Sequence, residues 1–300
     1  MSSAWRDRLF PGLTIPMLGL APAIVAQGAG PRGGLDFLCR AGREAEVPAD
    51  DMMEVVMAFR IALVGLFLLA LGSLATAADL EKDRLATSAG EVEITFVGHG
   101  TLVFGFGGKV IHVDPYGKLT DYSALPKADL VLITHAHGDH LDPVALAAIR
   151  KAGTEVIVSP ACQGKVDGAV VLKNGEERTA AGVRVQAVPA YNLVAMRSEG
   201  VPYHPKGEGN GYVVTFGDKR VYVAGDTENV PEMKALKGID VAFLPMNLPY
   251  TMTPEMVADA AKAMRPRVLY PYHFGQTDPA RLVELLKGEK GIEIRVRKMS

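Results

Sequence analysis

From residue 91 onward the chain reads as short apolar runs cut by turn residues. Residues 91–97 alternate polar and apolar, the mark of a half-buried strand. Residues 102–106 and 109–114 predict two more strands, joined as a hairpin by Gly107-Gly108. In the second of these, His112 alternates with Val113 and is expected to face solvent. Residues 130–134 form a buried strand ending at Thr134. Residues 143–151 have helical spacing, with Asp142 suited to the cap and Pro143 to the first turn. Strands follow at 155–158, 183–188, 211–216, 220–224 and 241–244, with Gly217-Asp218 turning between two of them. Thr253 caps a helix begun by Pro254 and running to about Met264, where Arg265-Pro266 stops it. A strand at 267–271, a helix at 279–287 and a last strand at 292–294 complete the series. Two groups of strands, each followed by helices, predict a layered α/β (α+β) fold with two sheets face to face under helical cover.

Composition narrows the class. The 300 residues are 48% hydrophobic and 22% charged, ordinary for a globular protein. A formal charge of -2 offers no excess of cations to neutralise phosphates, so a nucleic-acid partner is not expected. Cys39 and Cys162 form no Cys-x-x-Cys pair, which excludes a zinc ribbon and a dithiol redox site.

The chemistry sits at strand ends. The buried strand at 130–134 runs straight into His135-x-His137-x-Asp139-His140, a density of imidazole and carboxylate suited to divalent metal. Alternate side chains of such a loop can serve two centres, and Gly138 lets the backbone bend. Asp226, in Gly225-Asp226-Thr227, ends another strand and can bridge two cations. His273, after the strand at 267–271, ends a third. Three separate strand ends thus bring metal-suited groups toward one place.

His135-x-His137-x-Asp139-His140, then Gly225-Asp226-Thr227, then His273 resembles the metallo-β-lactamase superfamily over residues 91–294. With Gly98-His99-Gly100 and Asp114-Pro115 upstream it is most similar to the branch containing ascorbate-6-phosphate lactonase. The resemblance implies a four-layer αββα sandwich holding two divalent metal ions, zinc first, with manganese or iron as alternatives. It implies that His135 and His137 bind the first metal, that Asp139, His140 and His273 bind the second, and that Asp226 bridges. Asp114 resembles the family's buried supporting carboxylate. His99 is expected to support the site or to serve packing alone. The implied activity is hydrolysis of a small-molecule ester, lactone, amide or phosphodiester by a water activated between the metals. Asp139 would be the catalytic residue that orients that water and accepts its proton.

One departure stands out. The superfamily usually supplies a further first-metal His between the His-rich loop and the bridging Asp; here Asn192 occupies the expected position. His204 is the remaining His of that interval, with ligation, substrate contact and loop capping all open to it. Tyr191, Tyr250 and His204 lie in loops near the motifs and are candidates to contact substrate. A di-iron oxidoreductase of the same fold is the first alternative, disfavoured because such enzymes carry Glu where His137 stands. A non-catalytic metal-binding or sensor domain is the second, kept open by Asn192.

The first part of the chain reads differently. Arg60 precedes an apolar run ending near Leu74, and Ala75-Thr76-Ala77 fits the small-x-small cleavage rule of a secretory signal peptide. The run is short for a membrane span, which needs roughly 20 residues. Residues 1–56 are expected to be a spurious or disordered extension, with translation starting at Met57, or at Met52 or Met53. Residues 57–77 would then be the signal peptide and 78–300 the hydrolase domain, periplasmic or secreted, without stable membrane insertion after cleavage and compatible with a homo-oligomer. N-terminal sequencing of the mature protein is expected to read from Ala78; a first residue near Ser2 would overturn this division.

Overall fold

The computed structural model describes residues 80–300. The expected extension, signal segment and cleavage point lie outside the described residues. No helix among the described residues is long and apolar enough to cross a membrane.

Two seven-stranded sheets form the body. The first runs in chain order through β1 (Glu81–Thr87), β2 (Gly90–Gly98), β3 (Thr101–Phe106), β4 (Lys109–Val113), β5 (Leu130–Ile133), β6 (Glu155–Val158) and β7 (Val170–Val171). The chain then makes β8 (Glu177–Ala180), β9 (Val183–Ala190), a small hairpin of β10 (Met196–Ser198) and β11 (Val201–Pro202), and β12 (Gly209–Phe216). It continues through β13 (Lys219–Val223), β14 (Val241–Pro245), β15 (Val268–Tyr272) and β16 (Glu293–Ile294). The second sheet has the order β16-β15-β14-β13-β12-β9-β8.

Both sheets begin antiparallel and end parallel. Pairs from β1 to β4 are antiparallel and those from β4 to β7 parallel. Likewise β8, β9, β12 and β13 pair antiparallel, whereas β13 to β16 pair parallel. Antiparallel neighbours need only a turn, whereas parallel neighbours need a crossover. The helices supply several crossovers: α1 (Pro143–Ile149) between β5 and β6, α2 (Pro231–Lys234) before β14, α3 (Pro254–Met264) before β15, and α4 (Pro279–Leu285) before β16. Asp142, Thr253 and Asp278 cap α1, α3 and α4 by accepting backbone N–H bonds, and Pro opens each first turn.

The inner faces of the two sheets share one apolar cluster. Phe104 meets Phe216 with ring centres 5.6 Å apart, and Phe96 meets Tyr270 at 5.1 Å. Burying each such side chain contributes about 1.5–3 kcal/mol relative to exposure. On the outer face of the first sheet Val131, Ile133, Val156 and Val158 pack with Ala145, Leu146 and Ile149 of α1. Val257 and Ala261 of α3 and Leu282 of α4 join the cluster of the second sheet. The layers are therefore helix, sheet, sheet, helix, as the strand-then-helix pattern implied.

Two expectations change. Strand β1 was not visible as an element because its burial alternates only between half-buried and exposed, leaving no apolar face to read. It is an edge strand held by full pairing to β2. His112, expected to face solvent, is fully buried. Its strand, β4, lies between β3 and β5, and both of its faces are covered. His112 Nε2–H donates to the Pro126 carbonyl at 2.9 Å, while Nδ1 has no partner.

Burial pushes the His112 imidazole down from 6.5 to about 4. The unfolded chain therefore takes up this proton first as pH falls. The contribution to stability is constant above pH 6.5 and is lost between 6.5 and about 4. The size of that loss is up to about 3 kcal/mol at 1.36 kcal/mol per pH unit. His112→Gln keeps an N–H for Pro126 and does not titrate. Urea midpoints at pH 7.5 and 4.5 should therefore differ less for this variant than for the wild type, and equal differences would count against the assignment.

Candidate metal centre

The site lies at the carboxyl ends of the strands. Asp114 follows β4, the His-rich loop follows β5, Asp226 follows β13, and His273 follows β15. This is where open α/β sheets present loops to ligands. Three of the residues there, His99, Asp114 and His273, have left-handed backbones with φ of 49°, 47° and 45°. Each such non-glycine conformation costs on the order of 1 kcal/mol and is kept only where surroundings enforce it.

The donors form two adjoining groups. His135, His137, His204 and Asp226 make one; His99, Asp139, His140 and His273 make the other. In the first, His135 Nε2 lies 3.0 Å from His137 Nδ1, and His204 Nε2 lies 3.3 Å from Asp226 Oδ2. In the second, His140 Nε2 lies 3.1 Å from His273 Nε2, and His99 Nε2 lies 3.0 Å from Asp139 Oδ2. Asp226 stands between them: Oδ2 is 3.9 Å from His135, while Oδ1 is 3.5 Å from His140 and 3.6 Å from His273.

The outer ends of these rings are fixed by the fold. Asp114 is wholly buried and accepts from Thr134 N–H at 2.8 Å, Thr134 Oγ1–H at 2.6 Å and His140 Nδ1–H at 2.8 Å. His204 Nδ1–H and the His204 backbone N–H both bond Asn192 Oδ1, at 2.8 and 2.7 Å. Asn192 in turn donates from Nδ2 to the Tyr250 carbonyl at 2.9 Å. Two interior tyrosines brace the strand ends: Tyr212 Oη–H donates to the Ile133 carbonyl, and Tyr272 Oη accepts from Gly225 N–H. Glycine is required at two points. A Cβ on Gly100 would lie 2.8 Å from His140 Cε1, and one on Gly225 (φ 66°) would lie 2.7 Å from the Asn210 carbonyl.

Electrostatics match the geometry. Burial, then the charge of His140, holds the His135 imidazole well below its usual range. Burial opposes charge on His140, but Asp226 and Asp114 outweigh it and raise this ring to about 9. Burial likewise opposes ionisation of Asp226 and Asp139, yet both carboxyls sit well below the usual range. His273 and His140 do this for Asp226, and His273 and His99 for Asp139. His204 Nε2 and Asp226 Oδ1 are buried without hydrogen-bond partners. Orphaned buried donors and acceptors cost free energy unless something satisfies them. Imidazole and carboxylate atoms aimed at one point from opposite sides are a cation's ligand set, so the residues present fit a bound metal.

The structure brings His135, His137, Asp139, His140, Asp226 and His273 together at neighbouring strand ends. It corrects the reading of the interval before Asp226. His204, not Asn192, stands with His135 and His137, and Asn192 holds it from behind. His99 stands among the second group's donors. Tyr191 was a candidate for substrate contact, but its hydroxyl donates to Glu232 at 3.0 Å and does not line the cavity. Tyr250 does line the cavity over the site. Glu228, not singled out from the sequence, is buried and accepts from the N–H groups of Leu193, Val194 and Ala195. A carboxylate two residues after Asp226 was its one signal. Arg197, Tyr203 and Asn247, also in the walls, left none.

Residues 93–273 match the family model for the beta-lactamase superfamily domain. The UPF0173 metal-dependent hydrolase of Thermus thermophilus is 34% identical over 202 residues, spanning 63% of this chain and 87% of that protein. A candidate metal-dependent hydrolase from Parabacteroides distasonis, of known crystal structure, is 47% identical with a TM-score of 0.70, covering 74% of this chain and all of the other. Igni18, a metallo hydrolase from Ignicoccus hospitalis, is 28% identical with a TM-score of 0.58, covering 70% and 96%. The chain therefore belongs to the metallo-β-lactamase superfamily and, within it, to the UPF0173 metal-dependent hydrolases.

Outer partners of metal ligands typically set affinity within a factor of about 10 to 100. Asp114→Asn should therefore lower zinc affinity by about that factor, read by competition with a chromophoric chelator. Asn192→Ala, which frees the His204 ring, should likewise weaken zinc binding. Unchanged titrations in both variants would show that these groups do not hold the donors in place.

Proposed function

We propose that the chain is a binuclear hydrolase. His135, His137 and His204 would hold one divalent cation, His140, His273 and Asp139 the other, and Asp226 would lie between them. The supporting observation is Asp226 itself, a buried carboxylate with one oxygen toward each donor group. Zinc suits imidazole-rich sites of this kind, and manganese or iron is accommodated by the carboxylates. When bound, such cations act as Lewis acids and lower the pKa of water.

The chain's own residues do the rest. His99 anchors Asp139 Oδ2, and Asp139 keeps 36% of its side chain open to the cavity. Asp139 would accept a hydrogen bond from an attacking water, orient it and take up its proton for transfer to the leaving group. The closed layer formed by Asp114, Thr134 and Tyr272 excludes water from beneath the site. The open side is a cavity of about 570 Å³ adjoining one of about 420 Å³, a size that takes a small molecule. An ester, lactone, amide or phosphodiester is the bond class. Gly98-His99-Gly100 and Asp114-Pro115, both in the site, favour a lactonase-like reading. The signal-type segment before the domain favours export.

Chelation should abolish turnover on a panel of ester, lactone and phosphodiester substrates, and zinc or manganese should restore it. Asp139→Asn should keep at least the first metal and lose turnover by about a hundredfold or more. Full turnover of that variant at full metal content would remove Asp139 from the reaction. A fully loaded wild type that cleaves nothing in the panel would favour the sensor reading.

A further inference from the structure

The two cavities meet at Arg197, an exposed residue of β10 that lines both. Its Nη2 lies 3.4 Å from His137 Nε2. The other nitrogen of that ring, Nδ1, faces the donor group at 3.0 Å from His135. A ligating nitrogen carries no proton, so a neutral His137 ring that ligates through Nδ1 keeps its proton on Nε2. Nε2–H is then a donor, and a guanidinium is a donor only. With a cation on Nδ1, two donors stand side by side with no acceptor between them. Among the described residues no carboxylate comes within ion-pair distance of Arg197; its nearest aromatic partner is Tyr203, at 5.9 Å from the ring centre.

The surroundings point the same way. Lys165 lies in the wall of the larger cavity, where the carboxylates are Glu208 and Asp226. Asp226 is already engaged by imidazoles, which in this cavity leaves Glu208 against Arg197 and Lys165; the smaller cavity adds Asp139, itself bonded to His99. The segment leading into β10 is held in place, because Glu228 accepts three consecutive backbone N–H bonds from Leu193, Val194 and Ala195. Arg197 therefore rises from an anchored base, which lowers the ordering cost of any ligand it grips.

We propose that Arg197 and His137 Nε2–H form an oxyanion-binding subsite, and that the substrate carries a carboxylate or phosphate close to the bond that is cleaved. The planar fork of Arg197 presents parallel N–H groups, the geometry that suits either anion. Lys165 adds charge farther along the same wall. The placement of the Nε2 proton rests on the metal-binding reading above, and the subsite narrows that reading to anionic substrates.

Two measurements on the full, zinc-loaded chain test this. Inorganic phosphate and acetate are titrated by calorimetry into wild type, Arg197→Gln and Arg197→Lys. One or both anions should bind the wild type on the order of tenfold to a hundredfold more tightly than Arg197→Gln, with Arg197→Lys between, and the tighter anion identifies the group. Equal affinities in wild type and Arg197→Gln would overturn the subsite. The second measurement compares kcat/KM for a carboxylate-bearing or phosphate-bearing aryl ester with that for its neutral analogue. Arg197→Gln should reduce this preference by tenfold or more, and an unchanged preference would also overturn the proposal. If the wild type cleaves neither ester, the hydrolase reading fails while the calorimetry still decides the subsite.

Discussion

Eight side chains converge their nitrogen and oxygen atoms on two adjoining points, and burying carboxylates at such points is costly without positive charge among them. Asp226 and Asp139 are ionised and mostly shielded from water, and the rings facing them are packed nitrogen to nitrogen. Protons can supply part of the charge, as the raised His140 shows. A proton sits on one atom, however, and leaves His204 Nε2 and Asp226 Oδ1 without partners. A cation satisfies several donors at once. The donor atoms thus favour metal by the same electrostatics that make them costly without it.

The fold is built to bear that cost away from the site. All the donors but His204 are attached to the ends of β2, β5, β13 and β15, which are themselves locked into a continuous apolar sandwich. The polar layer beneath is closed: Asp114 spends its oxygens on Thr134 and His140, and Thr101 Oγ1–H donates to its carbonyl. His273 N–H donates to the His99 carbonyl, so the left-handed turns at the ends of β2 and β15 hold one another. Strain at the strand ends persists because the sheets and this layer over-determine it.

Much of this was legible in the sequence, and the parts that were not share a cause. The His-rich loop, Gly225-Asp226-Thr227 and His273 each follow a periodic apolar strand, so their strand-end positions could be read. His204 lies beyond an irregular stretch and the short, mostly exposed hairpin of β10 and β11, where no period links position to direction. The family resemblance therefore pointed to Asn192, with His204 left open, although the chain folds back so that Asn192 supports His204. His112 misled for another reason: alternation marks a face, but in a central strand covered on both sides neither face is solvent. Glu228 binds only backbone, a role that depends on loop shape and leaves no pattern in side-chain chemistry.

That division between the legible and the illegible is also a division of labour. Seven of the eight donors follow directly on regular strands, and His204 is the exception, reached through the small hairpin. Arg197, Tyr203 and Tyr250, which line the cavity over the site, stand on loops and the small hairpin. Changes in that hairpin alter cavity chemistry without moving any donor at a strand end, because Glu228 and Asn192 clamp its base. In that cavity the unmatched donors of Arg197 and His137 are the strongest chemical feature.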